Sequence, residues 1–437
     1  MSVEAAAAPR SASASLRPAW YAVTILSIAY VLSYADRIII NLLARPIKAD
    51  LGLTDTQFGL LTGVAFGIFY TAMALPLGRM ADILSRRWIV CIGVATFSLF
   101  SIYSGVAAGF AALFIARVGV GAGEASLTPA AHSMISDYFP QEKLGRAMSV
   151  FVMSAFVGMG AAYVGGGALI AWLNSLGPTH LPLLGELQPW QMAFVFVALP
   201  GLVIAPLLLT VREPERKSHH GVVPLRQVFS EVARRRSTLV PMLAGFAMIT
   251  LSGYASTVWN APFFDRSYGW GPLEFGLFYG MIYLAFGPTG AMFAGWMCDR
   301  LTQRGIKDAP LQVSAYAALV GGITGGLAPL MPSPELALML MVPTIFTHTM
   351  AYPLAATAMQ LIAPPGMRAQ LSSVYMLVIN LVGLGLGPLV IGLMTDYFFT
   401  SPGDLRYSLA IVNGLCGPLA LGLLLLASRP YIALRGG

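Results

Sequence analysis

The sequence predicts an all-α membrane protein with twelve transmembrane helices in two pseudo-symmetric six-helix bundles. Composition is the first ground. Of 437 residues, 57% are hydrophobic and only 10% are charged, where a soluble domain carries about 25% charged residues. Mean hydropathy is +0.73. The second ground is a set of twelve apolar runs, each long enough to cross a bilayer. The third is a loop motif that occurs twice, at the same place in each half of the chain.

That composition argues against a soluble enzyme, a nucleic-acid-binding protein and a disordered regulator, none of which tolerates so little surface charge. The net charge of +7 reads as cytoplasmic Lys and Arg rather than as a nucleic-acid footprint. Cys91, Cys298 and Cys416 are odd in number and far apart. They imply neither a metal site nor a disulfide framework. No metal and no cofactor is expected.

A helical span needs about 20 apolar residues. The runs are 19–43, 57–78, 88–108, 111–136, 144–172, 190–210, 239–263, 273–297, 311–330, 335–361, 369–395 and 405–428. Gly109 and Phe110 alone separate the third from the fourth. Residues 1–18 read as a cytoplasmic tail, since no small-residue cleavage site follows the first run. The first six runs make an N-terminal bundle, 19–211. The last six make a C-terminal bundle, 239–428, with a tail at 429–437. Between them lies a basic linker, 212–238, whose Arg234-Arg235-Arg236 borders the lipid headgroups, as in an amphipathic surface helix.

An even number of spans puts both ends on one side. With both ends in the cytoplasm, twenty of the 26 basic residues lie on that side. The other side holds Arg45, Lys48, Arg266 and Arg406, and Arg37 and Arg117 fall inside spans. That asymmetry is the positive-inside signal. Short loops and the lack of an N-x-[S/T] sequon fit a bacterial inner membrane. After the second run comes Gly78-Arg79-Met80-Ala81-Asp82, with Arg86 and Arg87 beyond it. After the eighth comes Gly295-Trp296-Met297-Cys298-Asp299, with Arg304 beyond it. Two copies at equivalent positions mark duplicated halves.

Twelve spans, a central basic linker and this motif resemble the major facilitator superfamily over the whole chain. Two stretches are similar to its spinster family, and close to the bacterial members. They are Ser33-Tyr34-Ala35-Asp36-Arg37-Ile38 and the segment from Arg117 through Gly119, Gly121, Gly123 and Glu124 to Pro129. The resemblance implies a major facilitator fold, alternating access, and proton-linked carriage of sphingoid or lysolipid molecules. It does not settle what the bacterial members carry.

A charge at the bilayer centre costs about 2.5–3.5 kcal/mol on insertion scales, so such residues face a cavity or a partner. Asp36 and Arg37 fall near the middle of run one, and Arg117 and Glu124 fall within run four. Sequence neighbours point about 100° apart on a helix. Asp36 therefore orients Arg37, braces another span, or joins Glu124 in proton coupling. Arg117 and Glu124 are seven apart and share a face. The small residues Gly119, Gly121 and Gly123 read as close packing, which lets Glu124 reach a neighbour such as Arg37. Burial disfavours the charge on Glu124, and Arg37 favours it. The expected switch follows. Ionised Glu124 pairs with Arg37. A proton on Glu124 frees Arg37 for an anionic substrate group, which a guanidinium holds through two parallel hydrogen bonds.

No Lys, Arg, Asp or Glu lies deep in a span of the second half. Its candidate substrate-binding residues are Asn260, Asn380 and His348. Tyr254, Trp259, Phe263, Tyr279, Tyr283, Phe286 and Tyr375 either line the cavity or simply pack. A charged wall opposite an aromatic one suits an amphipathic substrate.

The loop motif is expected to gate. Gly78 and Gly295 permit close helix approach. Asp82 would accept from the N-terminus of span eleven, near Arg368, a partner that the resemblance supplies and the helix dipole favours. Arg86 and Arg87 would add charge pairs across the halves, and these contacts would latch the cytoplasmic side shut in the outward-open state. Asp299 and Arg304 form the second copy, and Arg117 is a further gating candidate.

Carriage of small organic anions or of drug-like amphipaths is the alternative within transport. An ATP-driven pump would show G-x-x-x-x-G-K-[S/T], which is absent. A channel would need charge along a pore. An intramembrane enzyme would rest on Ser126 and His132, which a spacing of six puts on different helix faces. The expected partners are membrane lipids, protons and one small amphipathic substrate, with no nucleic acid. The fold needs no second copy, so a monomer is expected.

Overall fold

A computed structural model describes residues 16–182, 184–216, 225–364, 367–399 and 401–436. The tail with Arg10 and the middle of the linker, with His219 and His220, lie outside them. Among the described residues, twelve helices are long and apolar enough to cross a membrane. They are Arg17–Leu42, Asp55–Ile83, Arg86–Gly105, Phe110–Tyr138, Glu142–Leu176, Pro189–Leu208, Arg236–Tyr268, Pro272–Gln303, Ala309–Leu330, Pro334–Ile362, Gln370–Tyr397 and Leu405–Arg435, here spans one to twelve. Each overlaps the run expected for it. Several continue past it, because a helix needs no apolar residues once it leaves the hydrocarbon.

Local chemistry sets the ends. Proline stands in the first turn of spans one, six, eight, nine and ten, where its missing N–H breaks no helical bond. Thr54 opens span two with a capping box: its hydroxyl accepts from the Gln57 N–H, and the Gln57 side chain accepts from the Thr54 N–H. Span four is interrupted between Glu124 and Leu127. Pro129 is the cause, since it has no N–H for the Ala125 carbonyl. Spans two and eleven each carry a π-helical stretch, Leu60–Ala65 and Asn380–Leu386.

Packing repeats between the halves. In the first half, span one packs on five and six, three on four and six, and two on four. In the second, seven packs on eleven and twelve, nine on ten and twelve, and eight on ten. Adding six to the first set gives the second, so the two six-helix bundles are pseudo-symmetric. A short antiparallel hairpin, Thr179–Leu181 with Gly185–Leu187, joins spans five and six.

The bundles meet along two seams, five against eight and two against eleven. Glycine makes both close. A Cβ on Gly63 would lie 2.5 Å from the Gly385 carbonyl oxygen, and one on Gly280 would lie 2.7 Å from that of Gly160. These contacts sit toward the end away from the termini. Toward the termini the bundles part: a Cβ on Gly145 of span five or Gly295 of span eight would meet nothing. Gly295 therefore makes no close helix approach here. Gly78 faces only the Pro129 side chain, at an ordinary 3.9 Å.

Candidate functional site

Tyr30, Tyr34 and Arg37 share one face of span one, at i, i+4 and i+7. From there Arg37 reaches span four. Its Nε and Nη2 each lie 2.6 Å from Oε2 of Glu124. Glu124 is 2% exposed, and it ends the first piece of span four, beside the helix break. Its other oxygen, Oε1, is buried and accepts no hydrogen bond. Rings surround the guanidinium, with centroids at 4.8 Å for Phe66, 4.9 Å for Tyr70 and 5.1 Å for Tyr34. A desolvated cation–π contact of this kind is worth about 2 kcal/mol. Gly121 permits the arrangement, since a Cβ there would lie 2.6 Å from the Phe66 carbonyl oxygen.

Asp36 points the other way. It pairs with Nη1 of Arg117 at 2.7 Å, with both side chains 2% exposed. Arg117 is therefore sealed inside the first bundle. The Phe66 ring stands 5.4 Å from it, and so touches both arginines. The two pairs put four charges in one bundle, and their sum is zero.

The second half contributes less. Asn260 is 4% exposed and donates to the Tyr279 hydroxyl at 2.8 Å. Tyr163 of span five packs against Tyr279, ring centroids 5.0 Å apart, so this pair lies in the closed seam. His348 lies 3.4 Å from the Ser252 hydroxyl and borders a small cavity with Thr250, Gly253, Tyr352 and Tyr375. Asn380 is half-buried in the π-helical stretch. The aromatic wall expected in this half is mostly spent on packing. Trp259 and Phe263 are fully buried, with the indole N–H donating to the Pro388 carbonyl at 2.8 Å. Phe286 faces outward, 37% exposed. The rings nearest the charge come from the first half, and Tyr254 of span seven joins them, packed on the same cluster as Phe66 and Tyr70. The pairs Tyr30–Tyr34 and Phe66–Tyr70, four apart on the charged span and its neighbour, were the available signal.

Residues 26–388 match the Major Facilitator Superfamily. The chain belongs to that superfamily. It is 29% identical over 383 residues to an MFS-type efflux pump of Mycolicibacterium smegmatis, across 87% of this chain and 85% of that one. It is 25% identical over 315 residues to a probable L-galactonate transporter of Escherichia coli, across 69% of this chain and 65% of that one. Among solved structures, a bacterial homologue of the human lysosomal transporter spinster, inward-facing and unoccupied, aligns with a TM-score of 0.76. That match has 27% identity and covers 97% of this chain and 98% of the other. The protein is thus a spinster-like transporter. Ser126 and His132 form no dyad in it. Ser126 donates to the Gly123 carbonyl at 2.8 Å, while His132 is exposed and packs on Phe151 of span five.

The transporter's loop motif makes none of the expected contacts across the halves. Asp82 is exposed, and it is its backbone carbonyl that accepts, from Arg216. Arg86 is 1% exposed. It donates to Glu213 at 2.9 Å, to Ser133 at 2.9 Å, to the Pro214 carbonyl at 2.8 Å, and to Asp137. All of these precede the second bundle. Arg87 reaches the Leu209 carbonyl at 3.5 Å. Asp299 and Arg304 are exposed. The reason is geometric: pairs across the halves need the bundles to meet at the termini end, and here they part there.

Glu213 was not anticipated from sequence. Burial opposes its charge. The Arg86 guanidinium, the Ser85 hydroxyl and the N–H groups of Arg86 and Arg87 outweigh burial and hold its carboxyl below the usual range. A depressed carboxyl stabilises fully above its unfolded value, about 4.3, and loses that contribution as pH falls through the folded value. Glu213→Gln should therefore cost about 2 kcal/mol at pH 7. The gap in melting temperature between wild type and variant should narrow as pH falls below about 4.3 and close as pH passes the lowered folded value. A gap that does not narrow on acidification rejects the assignment.

Proposed function

We propose that this transporter is proton-coupled and carries an amphipathic anion of lipid-like kind, such as a lysolipid or a sphingoid phosphate. The buried Arg37–Glu124 pair inside its collar of rings carries the reading. A proton taken up by Glu124 removes the partner of Arg37, which stays cationic at any working pH. The freed fork then holds a phosphate or carboxylate. Tyr34, Phe66 and Tyr70 supply apolar surface beside that head. Charge balance adds a direction. The four buried charges sum to zero, and one proton with one singly charged anion restores zero, so both travel together. With the basic side taken as cytoplasmic, both termini lie in the cytoplasm of a bacterial inner membrane. The parted bundles then open inward.

A second reading is carriage of a compact organic anion. Kinship to a probable L-galactonate transporter supports it. The second half offers no cation to clamp a dianion, which favours the lipid-like cargo. Drug-like cations fit neither case, because Arg37 repels them.

Proton flux into liposomes holding the purified protein tests the choice. Lysophospholipid or sphingoid phosphate should start flux, and a sugar acid should not. Flux with the sugar acid alone rejects the lipid reading and keeps the arginine site. No flux with either rejects proton coupling.

A further inference from the structure

Only Leu84 and Ser85 separate spans two and three, yet a cleft of about 480 Å³ opens between them. Span three is drawn away to span four. A Cβ on Gly93 would lie 2.7 Å from the Gly123 carbonyl oxygen and closer still to the Ser126 hydroxyl, so the two backbones touch there. Met73, Leu77 and Met80 form one wall on a single face of span two, with Leu84 at its end. Trp88, Ile92 and Thr96, four apart, form the other. The floor includes Gly123 and Ser126, which flank Glu124 and the break in span four. The cleft faces lipid. Gly67, which meets span eleven, precedes Met73 by six residues, so the two point about 120° apart around span two. Met80, Leu84, Trp88 and Ile92 are all exposed.

We propose that this cleft holds one acyl chain of a phospholipid from the cytoplasmic leaflet, and that the chain braces the break in span four beside Glu124. Each wall runs eleven residues, Met73 to Leu84 and Ser85 to Thr96, or about 16 Å of helix. That is half of the roughly 30 Å hydrocarbon core, the depth of one leaflet. With the termini in the cytoplasm, the Leu84 end meets the headgroups. The hydroxyls of Ser85 and Ser126 are spent on Glu213 and the Gly123 carbonyl. Water gains nothing in so apolar a space, and an empty one forfeits contacts on every side. Hydrocarbon is what the surroundings supply. It carries no preference by itself, since the bilayer is as apolar as the cleft. The lip supplies the preference. Arg216 donates to the carbonyls of Ala81 at 3.0 Å and Leu84 at 2.6 Å, and it has no carboxylate partner among the described residues. A guanidinium so placed holds a phosphate, and the Trp88 indole suits the headgroup level. This lipid is a resident ligand, separate from cargo at Arg37. Its chain lies against the turn that Pro129 has deprived of a hydrogen bond, and fills the space into which that turn would loosen. The site rests on the cytoplasmic placement of the termini and is independent of cargo and of proton coupling.

Photolabelling of the reconstituted protein tests the site. One sample holds phosphatidylglycerol with a diazirine in one acyl chain, and a second holds diacylglycerol with the same chain. Labelling at Met73, Met80 and Ile92 is compared with that at Met292, exposed on span eight. Phosphatidylglycerol should favour the cleft roughly tenfold, the worth of one charge-assisted hydrogen bond. Diacylglycerol should show no preference, and Arg216→Gln should abolish it for phosphatidylglycerol. Even labelling by both lipids overturns the site, and equal preference by both overturns the role of Arg216. Hydrogen exchange reads the brace. The N–H groups of Ala125 and Ser126 bond to the carbonyls of Gly121 and Gly123. In phosphatidylglycerol they should exchange about tenfold more slowly than in lipid-free detergent, one decade in the local opening equilibrium. Thr96→Phe puts a ring into the cleft, so it should block labelling and slow exchange without lipid. Wild-type exchange that ignores lipid overturns the brace, even if Thr96→Phe does not fold. Fast exchange in folded Thr96→Phe overturns it as well.

Discussion

Glu124→Gln abolishes proton-driven accumulation and leaves the protein folded: that is the result expected in liposomes. Glutamine has the shape of a protonated glutamate and no charge. Its carbonyl oxygen still accepts from Arg37, and the rings at 4.8 to 5.1 Å still hold the cation. The loss in stability should therefore stay within about 1 kcal/mol, the scale of one hydrogen bond. The loss in function should be complete, because no group at that place can take up and release the proton. Substrate binding tells the two residues apart. In Glu124→Gln it should persist and lose its dependence on pH, since a neutral amide that does not titrate now holds Arg37 at every pH. In Arg37→Ala it should fall by at least roughly tenfold, the scale of one charge-assisted contact. Accumulation that survives in Glu124→Gln would place the proton elsewhere.

Much of this was legible before any coordinates. The spans were, because the hydrocarbon core demands length and apolarity and nothing subtler. So was the Arg37–Glu124 contact, because buried charge needs a partner; the three alternate glycines, read as the means of that approach, instead seat span four against spans two and three. What stayed hidden depended on tertiary placement. Rings at 66 and 70 look the same in sequence whether they pack on lipid or collar a guanidinium, and only the approach at Gly121 decides. Asp82 is undocked for a different reason. Its expected partner belongs to the outward-open state, and a sequence describes both states at once. Arg86 was read as a bridge between halves. Its partners Asp137 and Glu213 lie far along the chain, and no spacing joins them to it.

The pair Asp36–Arg117 supports the second large effect. Both side chains are 2% exposed and 2.7 Å apart. Removing one partner strands a charge out of reach of water. Arg117→Met should cost about 3–5 kcal/mol, and Asp36→Asn a similar amount. The double variant should recover most of that loss, because two neutral groups of similar volume replace a pair that had to be desolvated. Melting of the four proteins in one detergent gives the coupling energy. The same four proteins decide what Asp36 is for. A brace between spans one and four has no use for a proton, so the double variant should carry substrate with its proton as wild type does. Recovered stability without recovered flux would mean that Asp36 takes part in proton transfer with Glu124. Its unpaired Oδ1, buried with no hydrogen-bond partner, would then be the atom to pursue. The expected outcome is the brace, because Asp36 is closed off from the cavity, while the Arg37 side chain keeps 13% of its surface open.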